Sequence, residues 1–324
     1  MNVLIAGGAG YIGSLAVRRL LDAGHLPVVI DDLSTGKRES IPAEAVFYHG
    51  DVADAALLDS IFKRFDARMV MHFAAKISVE ESVSHPDRYY LNNVSKTLVL
   101  LERMFTHSVK KIIFSSTAAV YGQPLYLPID EDHPVKPTNP YGASKQFVET
   151  ILRDYHSAFG LDCVIFRYFN AAGASLDGKT GECRKEKRSL IPVVLENLEK
   201  KRESVIFGDD WDTPDGTCIR DYVHVEDVVS AHVGAMKLFE KGGVFEVVNL
   251  GSEVGSSVKD VLDAVAKASR KEVAFRVGAR RPGDWAKVVA SGNKAEALLG
   301  WRPKYSDLET IVNTAYQWHF NRLY

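Results

Sequence analysis

The sequence predicts an α/β fold with a doubly wound parallel sheet, followed by a smaller C-terminal α/β domain. Short apolar runs alternate with longer amphipathic segments through the first half of the chain, as expected of strand–helix units in a parallel sheet. The short runs are continuous in Val, Ile and Phe, as in strands that are covered on both faces. A glycine-rich turn joins the first apolar run to the first amphipathic one.

The strands and helices of the first 170 residues follow in a regular order. The runs NVLIAG, LPVVIDD, AVFYHGDV, RMVMHFAA, KKIIFSST and DCVIFRYF predict strands, because each is short and rich in β-branched or aromatic residues. The segments IGSLAVRRLLDAG, AALLDSIFKRF and NNVSKTLVLLERMF predict helices from their apolar spacing, and another helix is expected to begin at Pro140.

The character of the sequence changes after about residue 170. The segments AAGASLDGKTGECRKEKRS, DDWDTPDGT and GARRPGDW are rich in glycine and charge, which predicts long connecting loops. We therefore predict a first domain at 1–170 and a second at 171–324. The apolar run VFEVVNLG predicts one more buried strand, so a segment near 219–251 is expected to return to the first domain.

Composition excludes several classes of function. The 324 residues carry 40 basic and 42 acidic side chains, so no overall field attracts nucleic acid or an anionic membrane. No apolar run approaches the roughly 18 residues of a membrane span, and no secretory signal precedes the first strand. The cysteines Cys163, Cys183 and Cys218 are widely spaced and predict neither disulfides nor a zinc site. We expect a cytoplasmic protein that binds no metal.

The segment GGAGYIGS predicts a phosphate-binding turn. Gly8, Gly10 and Gly13 give the G-x-G-x-x-G pattern of Rossmann folds, and Gly7 begins an overlapping G-x-x-G-x-x-G variant. Glycines at these positions permit a tight turn and the close approach of a pyrophosphate, while the helix N-terminus offers free N–H groups. The strand–turn–helix context therefore predicts that a dinucleotide binds here.

Two acids after the second predicted strand indicate which dinucleotide it is. Asp31 stands where a carboxylate can hydrogen-bond ribose hydroxyls and repel a 2′-phosphate, and Asp32 adds to that repulsion. We therefore expect NAD rather than NADP.

The segment NPYGASK predicts the proton acceptor of a redox reaction. Tyr141 and Lys145 are four residues apart, so they lie on one face of the predicted helix. A free tyrosine has a pKa of about 10, which an adjacent ammonium and a positive nicotinamide ring are expected to lower. The segment FSSTAAVYG adds hydroxyl donors at the carboxyl end of a predicted strand, where ligands bind in such sheets: Ser115, Ser116 and Thr117.

Six motifs follow one another along the chain: GGAGYIGS, FSSTAAVYG, NPYGASK, RYFNAAGA, DGTCIRDYVHVEDV and RRPGD. In this order and spacing the chain resembles the extended short-chain dehydrogenase/reductase family, and within it the UDP-hexose 4-epimerases, over essentially its whole length. The resemblance implies an isomerase that interconverts UDP-galactose and UDP-glucose by oxidation at C4, rotation of the 4-keto sugar and re-reduction. It also implies a tightly bound NAD, a nucleotide-sugar-binding second domain and a homodimer.

The resemblance assigns the chemistry and the cofactor to named residues. Tyr141 would take the proton of the sugar's 4-hydroxyl, Lys145 would tune it and hold the nicotinamide ribose, and Thr117 would bridge the sugar and Tyr141. Either Asn92 or Asn93 would help to position the cofactor. The set assigned to the cofactor is Gly7, Gly10, Tyr11, Ile12, Gly13, Asp31, Asp32, Asp51, Val52, Phe73, Ala74, Ala75, Asn92, Ser115, Tyr141, Lys145 and Tyr168.

The nucleotide-sugar contacts are implied in the same way. Asn170, Arg220 and Arg281 would hold the diphosphate, since guanidinium groups match phosphate oxygens in a bidentate manner. Phe207 would border the uracil and Asp284 its ribose. The set assigned to the substrate is Thr117, Tyr141, Asn170, Ser189, Leu190, Phe207, Arg220, Arg281 and Asp284.

Three positions depart from the family's pattern. Ser189 stands where the family usually has Asn or His before the sequence LIP, which weakens one expected contact to UDP. Ile77 stands where some members have Lys, with Lys76 one residue earlier. Val288 stands at a sugar-gating position where some members have Tyr, so we hypothesise that N-acetylated UDP-hexoses are accepted.

Three other functions are alternatives on this scaffold. Nucleotide-sugar 4,6-dehydratases have Asp-Glu directly after the Thr that matches Thr117, whereas this chain has Ala118 and Ala119, which cannot transfer protons. Epimerases of UDP-glucuronate or UDP-pentoses share the expected mechanism and differ in the details of the pocket. A non-catalytic NAD-sensing protein would have little need of Tyr141, Lys145 and Thr117 together.

Overall fold

The computed structural model describes residues 1–184, 187–281 and 283–324. Its strands, in chain order, are β1 Asn2–Ala6, β2 Leu26–Asp31, β3 Val46–His49, β4 Met69–His72, β5 Lys111–Thr117, β6 Asp162–Tyr168, β7 Asn170–Ala172, β8 Ser204–Phe207, β9 Ile219–His224, β10 Phe245–Leu250, β11 Gly255–Ser257, β12 Phe275–Gly278 and β13 Lys287–Val288.

The α-helices, again in chain order, are α1 Tyr11–Asp22, α2 Ala55–Phe65, α3 Val79–Ser84, α4 Pro86–Tyr89, α5 Lys96–Thr106, α6 Pro140–Phe159, α7 Leu190–Glu199, α8 Val225–Ala235, α9 Val258–Ser269, α10 Asn293–Leu299 and α11 Leu308–Phe320. Short 3-10 helices span Arg38–Ser40, Ala118–Val120 and Met236–Glu240, and a π-helical turn, Tyr90–Ser95, leads into α5. Among the described helices, none combines the length and apolar character needed to cross a membrane.

Seven parallel strands form the main sheet, in the order β10-β6-β5-β4-β1-β2-β3. β1 pairs with β2 on one side and with β4 on the other, so the direction of winding reverses beside β1. Such a reversal opens a crevice at the carboxyl ends of the strands, where ligands of doubly wound sheets bind. The predicted fold class is confirmed.

Apolar residues cover both faces of this sheet, which explains the continuous apolar strands of the sequence. Within β1, Val3 and Ile5 face the core beneath α1 and α8, together with residues such as Val17 and Val228. Leu4 of the same strand faces the other core, beneath α2, α5 and α6. Neighbouring residues of one strand therefore point into different cores.

The later part of the chain contributes to both the main sheet and a separate assembly. β10 pairs in parallel with β6, and α8 packs on α1, so both belong to the main sheet and its cover. By contrast, β9 pairs with β7, β11 and β13 in a small sheet of its own. The parallel pair β8 and β12, with α7, α9 and α11, encloses a further apolar core that includes Ile191, Val265 and Ile311.

Candidate active site

The glycine turn between β1 and α1 is shaped by close contacts that exclude side chains. Gly7 has φ +82°, and a Cβ placed on it would lie 2.5 Å from the backbone nitrogen of Ala74. A Cβ on Gly13 would lie 2.2 Å from the carbonyl oxygen of Gly7. These two positions therefore require glycine, as the sequence pattern indicates.

The N-terminus of α1 presents free donors toward the crevice. Gly10 is its N-cap and has no side chain, and the first helical bond runs from the N–H of Ser14 to the carbonyl of Gly10, 2.9 Å. Within the described chain, the N–H groups of Tyr11, Ile12 and Gly13 donate to no other group. Three aligned donors at the positive end of a helix form an anion site.

Asp31 ends β2 and binds the glycine turn. Its carboxylate accepts the N–H of Ala9 at 2.9 Å and that of Leu33 at 2.8 Å. Burial raises the pKa of Asp31, while the two N–H donors oppose that rise. Each oxygen keeps a lone pair, so the carboxylate can still accept ribose hydroxyls. Asp32 is exposed and accepts the N–H of Ser34 at 2.9 Å.

The next two strands bring further predicted cofactor residues to the same edge. Asp51, just after β3, forms an ion pair of 2.5 Å with Lys96, and Val52 beside it is buried. After β4, the N–H groups of Phe73 and Ala74 both donate to the carbonyl of Ala6, at 2.8 and 2.9 Å. That forked bond holds the segment running on to Ala75 close against the glycine turn.

The structure separates the roles of Asn92 and Asn93, which the sequence leaves open. Asn93 is buried, and its amide bonds both the N–H and the carbonyl of Lys76, at 2.8 and 3.0 Å, and the hydroxyl of Ser144 at 3.0 Å. It therefore ties the segment after β4 to α6. Asn92 is only half-buried and donates to Asn93 at 3.1 Å, and among the described residues its side-chain oxygen accepts no hydrogen bond.

Tyr141 lies in the first turn of α6. Asn139 caps this helix by accepting the N–H of Gly142 at 2.9 Å, and Pro140 occupies the first helical position. The Thr117 side chain lies near enough to Tyr141 to lower the pKa of its phenol, so two of the three predicted catalytic residues are neighbours. Tyr89 packs edge-on against the Tyr141 ring, with centroids 6.4 Å apart.

The surrounding protein alone does not convert the Tyr141 hydroxyl to phenolate. Burial raises its pKa, and the Thr117 side chain and the charge of Arg184 lower it by less. The sequence predicts a lowered pKa from the neighbouring ammonium. The structure differs because Lys145 directs its ammonium to the carbonyl of Ser115, at 2.7 Å, rather than to the phenol.

Lys145 is buried one helical turn beyond Tyr141. Its Nζ lies 4.7 Å above the ring of Phe114, and burial lowers its pKa to about 7 although the carboxylate of Glu149 opposes the change. Ser115, whose carbonyl Lys145 contacts, also places its hydroxyl 2.8 Å from the hydroxyl of Tyr168. The ends of β5 and β6 are thereby joined to α6.

The predicted nucleotide-sugar residues form a second group. Arg220 of β9 pairs with Asp284 at 3.1 Å and donates to the carbonyl of Trp285 at 2.7 Å. Arg281 lies over the ring of Phe207, 4.4 Å from its centroid. The structure therefore brings all four of these predicted residues into direct pairs, whereas Pro282 of the RRPGD motif lies outside the described residues.

Three more predicted substrate residues lie at the ends of elements. Asn170 begins β7 and is in register with Tyr222 of β9, two residues from Arg220. Ser189 is the N-cap of α7, and Leu190 is its first residue. The Ser189 side chain makes no capping bond, so its hydroxyl is not committed to the helix.

Sequence reasoning missed a buried charged network beneath the catalytic helix. Glu149 of α6 forms a bidentate pair with Arg167 of β6, with an Nη2–Oε2 distance of 2.6 Å, and Ser116 donates to the same carboxylate. Arg167 also donates to the Tyr121 hydroxyl at 3.0 Å. Two signals pointed to it: a charge inside the apolar strand FRYF, and an acid four residues after Lys145 on one helix face.

The arrangement suits a proton transfer beside a dinucleotide. The Tyr141 phenol, the Thr117 hydroxyl and Lys145 lie at the edge of the sheet that also carries the glycine turn and its free N–H groups. The two predicted diphosphate ligands, Arg220 and Arg281, lie on the small sheet and in the loop before β13. No described residue near Tyr141 supplies an Asp-Glu pair, because Ala118 and Ala119 follow Thr117.

Comparison with known proteins gives one consistent result. A family model described as the NAD dependent epimerase/dehydratase family matches residues 3–251. The UDP-glucose 4-epimerase of Halalkalibacterium halodurans is 46% identical over 320 residues, which cover 98% of this chain and 96% of that protein.

Solved structures agree with this result. The UDP-glucose 4-epimerase from Bifidobacterium longum, in complex with NAD+ and UDP, is 40% identical, with a TM-score of 0.93 and 99% of each chain covered. The UDP-Glc/GlcNAc 4-epimerase from Campylobacter jejuni is also 40% identical, with a TM-score of 0.87 and coverage of 98% of this chain and 99% of that one.

Proposed function

The chain belongs to the NAD-dependent epimerase/dehydratase family, and we propose that it interconverts UDP-galactose and UDP-glucose with a tightly bound NAD. One observation carries the proposal: Tyr141, Thr117 and Lys145 lie together at the ligand-binding edge of the sheet, in a chain that matches UDP-glucose 4-epimerases over nearly its full length. A protein that only binds NAD would have little need of these three residues together.

The described residues fit NAD. Glycine at positions 7 and 13 lets the turn pack against Ala74 and against itself, which keeps it tight beside the start of α1, where three N–H groups are free to bind a pyrophosphate. Asp31 keeps lone pairs for the adenine ribose and repels a 2′-phosphate. Asp51, Val52 and the segment Phe73–Ala75 would line the remaining length of the dinucleotide.

Residues of this chain carry out the proton transfer. When bound, NAD supplies the reversible hydride chemistry at C4 of the sugar. Tyr141 takes the proton of the 4-hydroxyl and later returns it, and Thr117 holds that hydroxyl against Tyr141. Lys145, whose pKa burial lowers to about 7, holds the Ser115 carbonyl and adds positive charge that favours phenolate.

Rotation of the sugar requires an anchor that does not move. Arg220 and Arg281 would bind the diphosphate, with Asn170 beside them, while the sugar turns to present its other face. In the structure Arg220 is braced by Asp284 and by the carbonyl of Trp285, which fixes its direction. Arg281 would leave the ring of Phe207 to reach the phosphates, and that ring would then border the uracil.

Val288 supports a broader substrate range. It is in register with Arg220 and packs against the apolar cluster that includes Val120, as does Ala118, the residue after Thr117. A valine there leaves more room than a tyrosine, so we propose that UDP-GlcNAc and UDP-GalNAc are also interconverted. The Campylobacter jejuni relative is a UDP-Glc/GlcNAc 4-epimerase. Absence of turnover of UDP-GlcNAc, measured beside UDP-glucose, would defeat this part of the proposal.

We also propose a homodimer that works in the cytoplasm. Leu91 is 62% exposed, Leu98 39% and Phe147 49%, all on the helical segments around α5 and α6, and a neighbouring copy would cover them. All three cysteines are free thiols, which suits a reducing compartment. A substrate such as UDP-galactose would place the protein in galactose metabolism.

The test uses purified protein and UDP-galactose without added NAD, followed by proton NMR. Appearance of UDP-glucose supports both the activity and a retained cofactor. Acid extraction of the same protein should release NAD in a ratio approaching one per chain. If UDP-galactose is unchanged even with added NAD while UDP-glucuronate is converted, the assigned substrate is wrong.

A further inference from the structure

A continuous hydrogen-bonded chain crosses the main sheet behind the candidate active site. His232 of α8 places Nδ1 2.9 Å from the carbonyl oxygen of Val228, and its Nε2 lies 2.6 Å from the hydroxyl of Tyr168. The Tyr168 hydroxyl lies 2.8 Å from that of Ser115. The chain begins on the α8 face of the sheet and ends at the strand that contacts Lys145.

The direction of every hydrogen bond in this chain is fixed. The carbonyl of Val228 can only accept, so Nδ1 of His232 carries the hydrogen. His232 is fully buried, and burial lowers its pKa to about 4, so the ring is neutral and Nε2 can only accept. The Tyr168 hydroxyl must donate to it. Tyr168 therefore accepts the hydrogen of Ser115, and no other arrangement satisfies all three bonds.

These hydrogen-bond directions determine what the hydroxyls of Tyr168 and Ser115 can offer to a ligand. Because both hydroxyl hydrogens point inward, Tyr168 and Ser115 have only lone pairs left for a ligand. Both residues lie at the carboxyl ends of their strands, β5 and β6, and the Tyr141 phenol is near enough to raise the pKa of Tyr168. Tyr168 and Ser115 can therefore only accept a hydrogen bond from a ligand.

We propose that His232 is a positioning residue for the cofactor: by holding Tyr168 and Ser115 as acceptors, it selects the amide N–H of the nicotinamide carboxamide. The inference rests on the proposed binding of NAD. The carboxamide has one donating and one accepting end, so a site that only accepts fixes which way the carboxamide turns. His232 itself touches neither cofactor nor substrate.

The test compares NAD with an analogue whose carboxamide is replaced by an acetyl group, 3-acetylpyridine adenine dinucleotide, which has no N–H to donate. The holoprotein is incubated with equal excesses of both until the bound ratio is constant, and the bound dinucleotides are then extracted and quantified. We expect the wild type to prefer NAD by about ten-fold, the effect of one hydrogen bond lost at a buried acceptor.

Variants separate hydrogen-bond direction from packing. His232→Phe removes the acceptor, so Tyr168 can donate to the acetyl oxygen, and the preference should fall to about three-fold or less. His232→Gln restores an acceptor and should restore the preference. The matched control is Phe166→Leu, because Phe166 packs on the His232 ring at 4.8 Å without a hydrogen bond, and it should retain the wild-type ratio.

Each possible result either supports or overturns the inference about His232. An unchanged ratio in His232→Phe, or a wild-type ratio near one, overturns the inference. If His232→Phe does not fold, Tyr168→Phe makes the same test from the other end, because it frees the Ser115 hydrogen to point at the ligand. Wild-type protein that binds neither dinucleotide would contradict the proposed function itself, which is a different result from loss of selectivity.

Discussion

Tyr141, the proposed proton acceptor, is buried in a way that disfavours its ionised form. Burial raises the pKa of its phenol, and the described neighbours that oppose this, Thr117 and Arg184, do not reverse it. The positive charge of a bound nicotinamide ring and the nearby Lys145 must complete the shift toward phenolate. We therefore expect the base to form only when the cofactor binds, and the protein without it to hold a protonated tyrosine.

The role of Tyr141 predicts the effect of Tyr141→Phe. Loss of the general base should lower kcat by about a thousand-fold, while NAD extracted per chain stays the same. Tyr155→Phe is the matched control, because Tyr155 lies on the same helix and packs on Phe105 away from the site. A Tyr141→Phe protein with more than a tenth of wild-type turnover would refute the assignment.

Replacement of Lys145 by an apolar residue should increase the stability of the fold. The pKa of Lys145 is lowered from 10.5 to about 7 in the fold, so between these values the unfolded chain binds a proton that the folded chain does not, and stability rises with pH. Lys145→Met should therefore raise the free energy of unfolding by about 1–3 kcal/mol at pH 6.5, and the gain should shrink toward pH 10.

Denaturant unfolding of protein freed of NAD at pH 6.5 and 9.5 measures this effect. Lys110→Met is the control, because Lys110 is exposed and donates only to the carbonyl of Phe159, and no comparable gain is expected. A Lys145→Met protein that is less stable than the wild type at pH 6.5 would show that the contact with Ser115 outweighs the burial of charge.

At the scale of elements, the glycine turn and the start of α1 act as one unit. Gly7 touches the backbone of Ala74 after β4, and Gly13 touches Gly7, so the turn, the helix and a neighbouring strand fix one another. The free N–H groups of the helix depend on that fit. A change that separates the turn from β4 should therefore disturb NAD binding before it unfolds the sheet.

Gly7→Ala tests this unit. The new Cβ would lie 2.5 Å from a backbone nitrogen at a residue with φ +82°, so we expect NAD content to fall below about a tenth and stability to fall by about 1–3 kcal/mol. In Gly24→Ala the φ is similar, +75°, but no atom lies within 4 Å, so NAD content should be retained. Equal NAD content in the two variants would contradict the account.

The elements also show what the sequence could and could not predict. NVLIAG and DCVIFRYF became β1 and β6 because a buried parallel strand needs little beyond a short apolar run. The segment NNVSKTLVLLERMF predicts one helix, yet its first residues adopt a π turn before α5, where Asn93 turns inward to Lys76. Hydrogen bonds between distant segments of this kind leave no periodic pattern in the sequence.

The small sheet and the pairing of the buried charges were beyond sequence reasoning for the same reason. β7 and β11 have three residues each and β13 has two, and such strands exist only through their distant partners. The motifs indicated Tyr141 and Lys145, but the direction of the Lys145 ammonium and the pair between Glu149 and Arg167 depend on packing across the sheet.

At the scale of the whole molecule, exposed apolar residues around α5 and α6 predict self-association. Phe147→Glu should convert the proposed dimer to a monomer in sedimentation velocity, because a charge would be buried without a partner. Phe275→Glu is the control, since Phe275 is similarly exposed but lies on β12, in a separate two-stranded sheet. A dimer that persists in Phe147→Glu would place the interface elsewhere.

The whole molecule serves one redox cycle in which the sugar gives up a hydride and receives the same one back. We would therefore supply UDP-galactose carrying deuterium at C4, in ordinary water and without added NAD, and examine the product by NMR. The account predicts UDP-glucose that retains deuterium at C4, because the hydride never exchanges with solvent. Product with ordinary hydrogen at C4 would show that a proton from water is used instead, and would contradict it.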